Sequence, residues 1–314
     1  MHLLVQVPYL AGLPSSLSVS FSGSLPAIKE VLLLSIPRTL ALASRQISLL
    51  VITAIASLLS AGSIAVFTFA FNLQAVPLTI IGVSYSVAVF PTLARLHAQG
   101  ARAELTRSIE TAVRHILFWA IPATVFVIIL RAQIVRTVLG AGVFDWNATR
   151  LTAAAFALLI LALAAQSISM LIARSYYAVG NTKKPLYFGC ANIVISIGSA
   201  VGLLVLFREY AFLRAVVEAL LRVDNVPGTS ILMLALGYAL GSIAEALIGY
   251  IWFSRNFSIS SARVMRLLGQ SFTASVIGGL ASYFILSLHI VQTIPSTTLG
   301  VFLQGFGAGV IGIG

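Results

Sequence analysis

The chain has 314 residues, 59% of them hydrophobic and only 9% charged, with a mean hydropathy of +1.04; a water-soluble globular domain of this size does not have that composition. The net charge of +11 would suggest nucleic acid in a soluble chain, but here the charges fall between apolar stretches and read as topology signals, with no nucleic-acid partner expected. The single cysteine, Cys190, excludes a disulfide within the chain and a thiolate metal site.

The opening MHLLVQVPYLAGLPSS lacks the basic flank of a signal peptide, and its roughly 13 apolar residues fall short of the about 20 that a span needs. Residues 1–13 therefore read as the remnant of a preceding transmembrane helix and 14–30 as a cytoplasmic linker. Spanning stretches follow at about 31–59, 64–95, 113–137, 151–173, 186–207, 231–254, 267–290 and 297–314. Their continuity predicts helices, because barrel strands are shorter and alternate in polarity. The expected fold is an all-α polytopic membrane protein, a bundle of about eight transmembrane helices plus the remnant. Since the last run, TTLGVFLQGFGAGVIGIG, ends while still apolar, the chain reads as a truncated piece of a longer protein.

Basic residues recur in alternate connections. Arg95, Arg102, Arg107 and Arg114, then Arg174, Lys183 and Lys184, then Arg255, Arg263 and Arg266 fall on one side, which the positive-inside rule makes cytoplasmic. The other side is nearly neutral, except that Arg131, Arg136 and Arg150 face only Asp145 there. Two connections are amphipathic and are expected to lie along the interface: AELTRSIETAVRH, with Leu105, Ile109 and Ala112 on one face, and EYAFLRAVVEALLRV, with Leu213, Val217, Leu220 and Leu221.

Several motifs carry no chemistry. Gly307 to Gly312 match G-x-G-x-x-G without a preceding strand, and together with the Gly237/Gly241 and Gly305/Gly309 pairs they read as close helix packing. His2, His97, His115 and His289 lack ligand spacing, so neither a metal, another cofactor nor an enzyme activity is expected.

Ionisable groups at membrane depth cost roughly 2.5 to 3.5 kcal/mol each on insertion scales, which makes them functional candidates. Arg38 and Arg45 are seven residues apart and share a small, polar face with Ala41 and Ser48, expected to line water or an anionic ligand. In FTFAFNLQAVPLTIIGVSYSVAVFP, the residues Thr68, Asn72, Thr79 and Ser86 recur in steps that predict one polar cavity stripe. Gln74 points away from that stripe toward a neighbouring helix, and Pro77 is expected to bend the helix and free carbonyls. Glu245, flanked by Gly241 and Gly249, either neutralises an arginine or titrates in ion coupling.

The stretch AFNLQAVPLTIIGVSYSVAVFPTLARL, with the preceding SRQIS helix and the junction ARSYYAVGNTKKP, closely resembles the MurJ (MviN) family of lipid II flippases in the MOP exporter superfamily. The resemblance implies fourteen helices in two six-helix lobes plus two more. On that mapping residues 31–254 are the second lobe, 255–314 the last two helices with a possible lipid-tail groove, and the first lobe is missing. It implies transport of the undecaprenyl-diphosphate-linked peptidoglycan precursor across the bacterial cytoplasmic membrane by alternating access. Its partners are then that precursor, membrane lipids and the N-terminal lobe. Phe71 and Asn72 stand where many members carry an acidic–arginine pair, which shifts the expected diphosphate recognition to Arg38, Arg45 and Ser48. A polysaccharide-lipid flippase, a cation-coupled exporter of the same superfamily and an inactive truncated fragment are the alternatives.

Overall fold

The computed structural model describes residues 25–140, 145–257 and 261–287, together with Gly300 and Gly307. The elements are α1 (Leu25–Ala56), α2 (Ser63–Leu78), a π-helical turn (Thr79–Val83), α3 (Ser84–Ala98), α4 (Arg102–Leu139), α5 (Trp146–Ile160), α6 (Leu163–Ala178), α7 (Lys183–Glu209), α8 (Ala211–Leu221), α9 (Ile231–Phe257) and α10 (Ser261–Ser287). The all-helical membrane architecture agrees with the sequence: five described helices are long and apolar enough to cross a bilayer, or six if α5 and α6 form one bent span. The remnant at 1–13 and the span at 297–314 lie outside the described residues, apart from the two glycines.

Several expectations change. Helix α1 starts at Leu25, inside the expected linker. The amphipathic stretch beginning at Glu104 is not a separate interfacial helix but the first part of the 38-residue α4. Its Leu105, Ile109 and Ala112 are buried as their periodicity requires, against protein rather than lipid. Helix α8 is separate; it leaves Phe212 at 82% and Leu220 at 76% exposure, the pattern of a helix lying in an interface. The stretch 267–290 corresponds to α10, which is not among the five most apolar spans because Gln270, Ser271, Thr273 and Ser275 interrupt it.

The expected single span at 151–173 is broken, with α5 and α6 meeting at 43°. Neither Pro nor Gly occurs from Trp146 to Ala178. Side chains of neighbouring helices take the carbonyls at the break instead: Gln74 Nε2 donates to Leu159 O at 2.9 Å, and Thr124 Oγ1 lies 3.5 Å from Ile160 O. Intrusion of such donors into the helical ladder is a recognised cause of kinks.

Helix α9 is the central span. Two thirds of its most apolar stretch is buried, against a third or less in the other four. It packs along α7, where small residues permit contact: a Cβ on Gly237 would collide with the backbone of Ala200, and one on Gly241 with Ser196. Helix α1 also packs on α7 and reaches α9, α2 and α4 flank α5, and α10 lies along α4. Beyond Pro77 the chain stays helical but takes the π turn at Thr79–Val83. There Thr79 Oγ1 donates to Ala75 O at 2.7 Å and Ser84 Oγ to Thr79 O at 3.0 Å, so local hydroxyls satisfy carbonyls that lipid would leave unpaired.

Candidate functional site: a cationic cavity around a buried ion pair

Helix α1 carries Arg45 to the middle of the bundle, where its Nη2 donates to Glu245 Oε1 of α9 at 3.0 Å. Glu245 is only 4% exposed, and a bare carboxylate there would be strongly destabilising. It is not bare. Ser169 Oγ of α6 donates to Oε1 at 2.8 Å and Asn192 Nδ2 of α7 to Oε2 at 3.1 Å. Asn192 is held in turn by Ser48 Oγ, which donates to its Oδ1 at 3.0 Å. Glu245 is thus paired with Arg45, with four helices tied to one carboxylate.

Beside this pair is a cavity of about 320 Å³, lined by Arg38, Arg45, Arg174, Tyr177 and Glu245 with apolar walls from Phe90 and Met170. Three arginines against one glutamate leave a formal surplus of two positive charges. The Arg38 guanidinium lies 5.1 Å from the centre of the Tyr177 ring, an attractive cation–π distance. Among the described residues neither Arg38 nor Arg174 has a carboxylate within ion-pair distance. The cavity therefore presents two guanidinium groups that no carboxylate among the described residues offsets, the arrangement that suits a phosphate or diphosphate.

Arg38 and Arg45 thus share the cavity, as their spacing predicts, but only Arg38 keeps its charge uncompensated. Ser48 does not line it: it is fully buried and positions Asn192. The proposed stripe does not line this cavity. Thr68, Asn72 and Thr79 are exposed and Ser86 is fully buried, its hydroxyl on Val83 O, and none of the four lines the cavity. The π turn accounts for the departure of Ser86, because it inserts a residue into the repeat and rotates everything after Val83 relative to everything before Thr79. From this segment Val83 and Phe90 reach the cavity wall instead.

Gln74 behaves as its position off the stripe implies. Besides Leu159 O it donates to Gln166 Oε1 at 3.1 Å, and Gln166 Nε2 passes the chain to Ser242 Oγ at 3.1 Å, linking α2, α6 and α9 beside the break. The sequence reading missed Arg174, Tyr177, Ser169 and Asn192. Arg174 reads as a loop charge only if the helix stops at 173; with α6 running to Ala178, Met170, Ala173, Arg174 and Tyr177 fall on one face. Asn192 in an otherwise apolar run was a signal available in the sequence.

The junction ARSYYAVGNTKKP closes one end of the cavity. Asn181 N donates to Tyr176 O at 2.9 Å and Gly180 N to Tyr177 O at 3.1 Å, a Schellman cap with Gly180 at φ 75° in the left-handed position. Tyr176 and Tyr177 are thereby held facing different ways. Tyr177 meets Arg38, while Tyr176 packs against Phe188, Phe253 and Phe257 and accepts a hydrogen bond from Asn256 Nδ2 at 2.9 Å. Among the described residues no group of His, Cys, Asp and Glu is arranged to hold a metal.

A family model described as "Lipid II flippase MurJ" matches residues 1–301. The "Probable lipid II flippase MurJ" of Rhizobium tropici is 30% identical over 189 residues, 60% of this chain and 35% of that protein. Its namesake in Rickettsia prowazekii is 28% identical over 178 residues, 57% of this chain and 35% of that protein. The solved structure "Lipid II flippase MurJ, inward closed conformation" shares the fold with a TM-score of 0.67 at 19% identity, covering 94% of this chain and 56% of that one. The matched stretch spans about a third of the length of these curated relatives.

Proposed function

The chain belongs to the lipid II flippase MurJ family, and on that premise we propose that it forms the arginine-bearing cavity lobe and following helices of a flippase in the bacterial cytoplasmic membrane. The substrate is the undecaprenyl-diphosphate-linked peptidoglycan precursor, moved from the inner to the outer leaflet by alternating access against an N-terminal lobe. The observation that carries this reading is the pair of uncompensated arginines, Arg38 and Arg174, in one cavity. A diphosphate is doubly anionic and accepts bidentate hydrogen bonds, which planar guanidinium groups supply. Sugar and peptide need polar space, and the polyprenyl chain remains in lipid.

Arg45 contributes differently from Arg38. Bound to Glu245, it shapes the cavity floor and cross-links α1 to α9, so the pair supports the site more than it attracts the anion. Basic residues such as Arg102 and Lys183 at the ends of α4 and α7 support a cytoplasmic location for the end of the cavity closed by the Tyr176–Tyr177 cap.

The test is genetic. A full-length protein carrying this lobe should sustain growth of cells depleted of their own lipid II flippase, and Arg38→Ala with Arg174→Ala should abolish that rescue at normal membrane abundance. Undiminished rescue by the double variant would contradict the proposal.

A further inference from the structure

Two of the arginines that break the charge asymmetry of the loops, Arg131 and Arg150, form a second cationic cluster with Arg222 at the opposite end of the bundle from the basic loops, while Arg136 lies over the Trp146 ring. In α4 the apolar run from Ile116 to Leu130 ends at Arg131, near enough to the outer end of the expected 113–137 span for its long side chain to reach the headgroups. Helix α10 packs there: a Cβ on Gly279 would meet Val125 and Ile129, so Tyr283, one turn further on, comes level with Arg131. Arg222 follows α8 in the left-handed conformation at φ 59°. Its Nη2 donates to Tyr283 Oη at 3.0 Å, and its charge lies close enough to Arg131 for the two to repel. Arg150 of α5 joins them, with Nε and Nη2 donating to Arg222 O at 2.9 and 2.6 Å.

Two of the acids at this end are engaged elsewhere. Asp145 caps α5 by accepting from Ala148 N, and Glu218 is engaged by Arg214 and Thr229. Among the described residues none of Arg131, Arg150 and Arg222 has a carboxylate within ion-pair distance. Arg131 spends one donor on Ile128 O at 2.7 Å and retains others. Arg150 and Arg222, tied to a backbone carbonyl and to Tyr283, stand with Arg131 as a concentration of positive charge that an anion would neutralise.

We propose that Arg131, Arg150, Arg222 and Tyr283 form a binding site for the phosphate of an anionic lipid in the outer leaflet, apart from the cavity between α1, α6 and α9. Bound there, the lipid phosphate bridges α4, α5, the α8–α9 connection and α10. The neighbouring helix α8, with Phe212 and Leu220 exposed, lies against the same lipid layer.

The experiment is a titration of the full chain in phosphatidylcholine bicelles with phosphatidylglycerol, following the thermal unfolding midpoint. Wild type should gain stability saturably, and Arg131→Gln/Arg222→Gln should need about tenfold more lipid for half the effect, because charge-assisted bonds are removed. If the double variant does not fold, Arg222→Gln alone, at an exposed side chain, carries the same comparison. Superimposable curves for wild type and variant, or no saturable effect in wild type, overturn the site. A parallel titration with sodium phosphate separates the sources: equal stabilisation by free phosphate overturns the lipid assignment, and its absence supports it.

Discussion

Arg45 and Glu245, 200 residues apart in the chain, meet at 3.0 Å where α1, α6, α7 and α9 converge. The bond spans the helices that bound the cavity, so its loss is felt as instability before it is felt in transport. Glu245→Gln keeps the shape but leaves the Arg45 charge without its counter-ion, and should destabilise the protein by roughly 3 kcal/mol. Replacing both partners with apolar residues, Arg45→Met and Glu245→Leu, should recover much of that loss. Unfolding in detergent measures both; a Glu245→Gln protein as stable as wild type sinks this account of the pair.

The break between α5 and α6 depends on Gln74. Its amide satisfies Leu159 O and Gln166 inside the bundle, so Gln74→Leu strands both and should cost about 1–3 kcal/mol. Hydrogen exchange should rise in the peptide around Leu161 while α1 remains protected. Unchanged exchange there would mean that the break does not need this donor.

Close packing of α7 on α9 makes two glycines intolerant. Gly237→Val and Gly241→Val push a side chain into Ala200 and Ser196, and should lose most of the monodisperse protein recovered in mild detergent. Gly198→Ala and Gly202→Ala on α7 meet nothing within 4 Å and should hold or raise stability, by up to about 1 kcal/mol each. Equal yields for the two sets would contradict the packing described.

Glu218 supplies a pH dependence. Partial burial pushes its carboxyl up, but hydrogen bonds from Thr229 at 2.6 Å and Arg214 at 2.9 Å, with the Arg214 charge, hold it below the ordinary value. Its contribution to anchoring the α8–α9 connection is therefore complete above the ordinary carboxylate pKa, near about 4, and lost as pH falls through the lower folded value. A nitroxide at Asn225 should become mobile on acidification in wild type, with no acid step in Glu218→Gln, whose label is mobile throughout. A step that persists in the variant would assign it to another group.

The spans were legible because continuous apolar runs have few alternatives in a bilayer, and the close contacts of Gly237 and Gly241 followed from their spacing. Gln74 was legible for a related reason: an amide on the bulky side of a membrane helix must find a partner. Part of what escaped the sequence was set by groups distant in the chain, and part by local departures from a regular helix. No Pro or Gly marks the break at Leu161, where the donors to the freed carbonyls, Gln74 and Thr124, come from other helices. The stripe from Thr68 to Ser86 assumed an unbroken 3.6-residue repeat, which the π turn at Thr79–Val83 violates. Ser48 shares a helical face with Arg45, yet α7 covers it through Asn192, while Arg174, read as a loop charge, is brought to the cavity by the last turn of α6.

The central claim is that Arg38 and Arg174 hold a diphosphate that the neutralised Arg45 does not. Binding of undecaprenyl diphosphate to a purified full-length protein measures this directly, with stability checked in parallel. The account predicts about a tenfold or greater loss of affinity for Arg38→Gln/Arg174→Gln at unchanged stability, and a smaller loss for Arg45→Met/Glu245→Leu. Undiminished binding by the Arg38/Arg174 variant, or a larger loss when the Arg45–Glu245 pair is replaced, would contradict it.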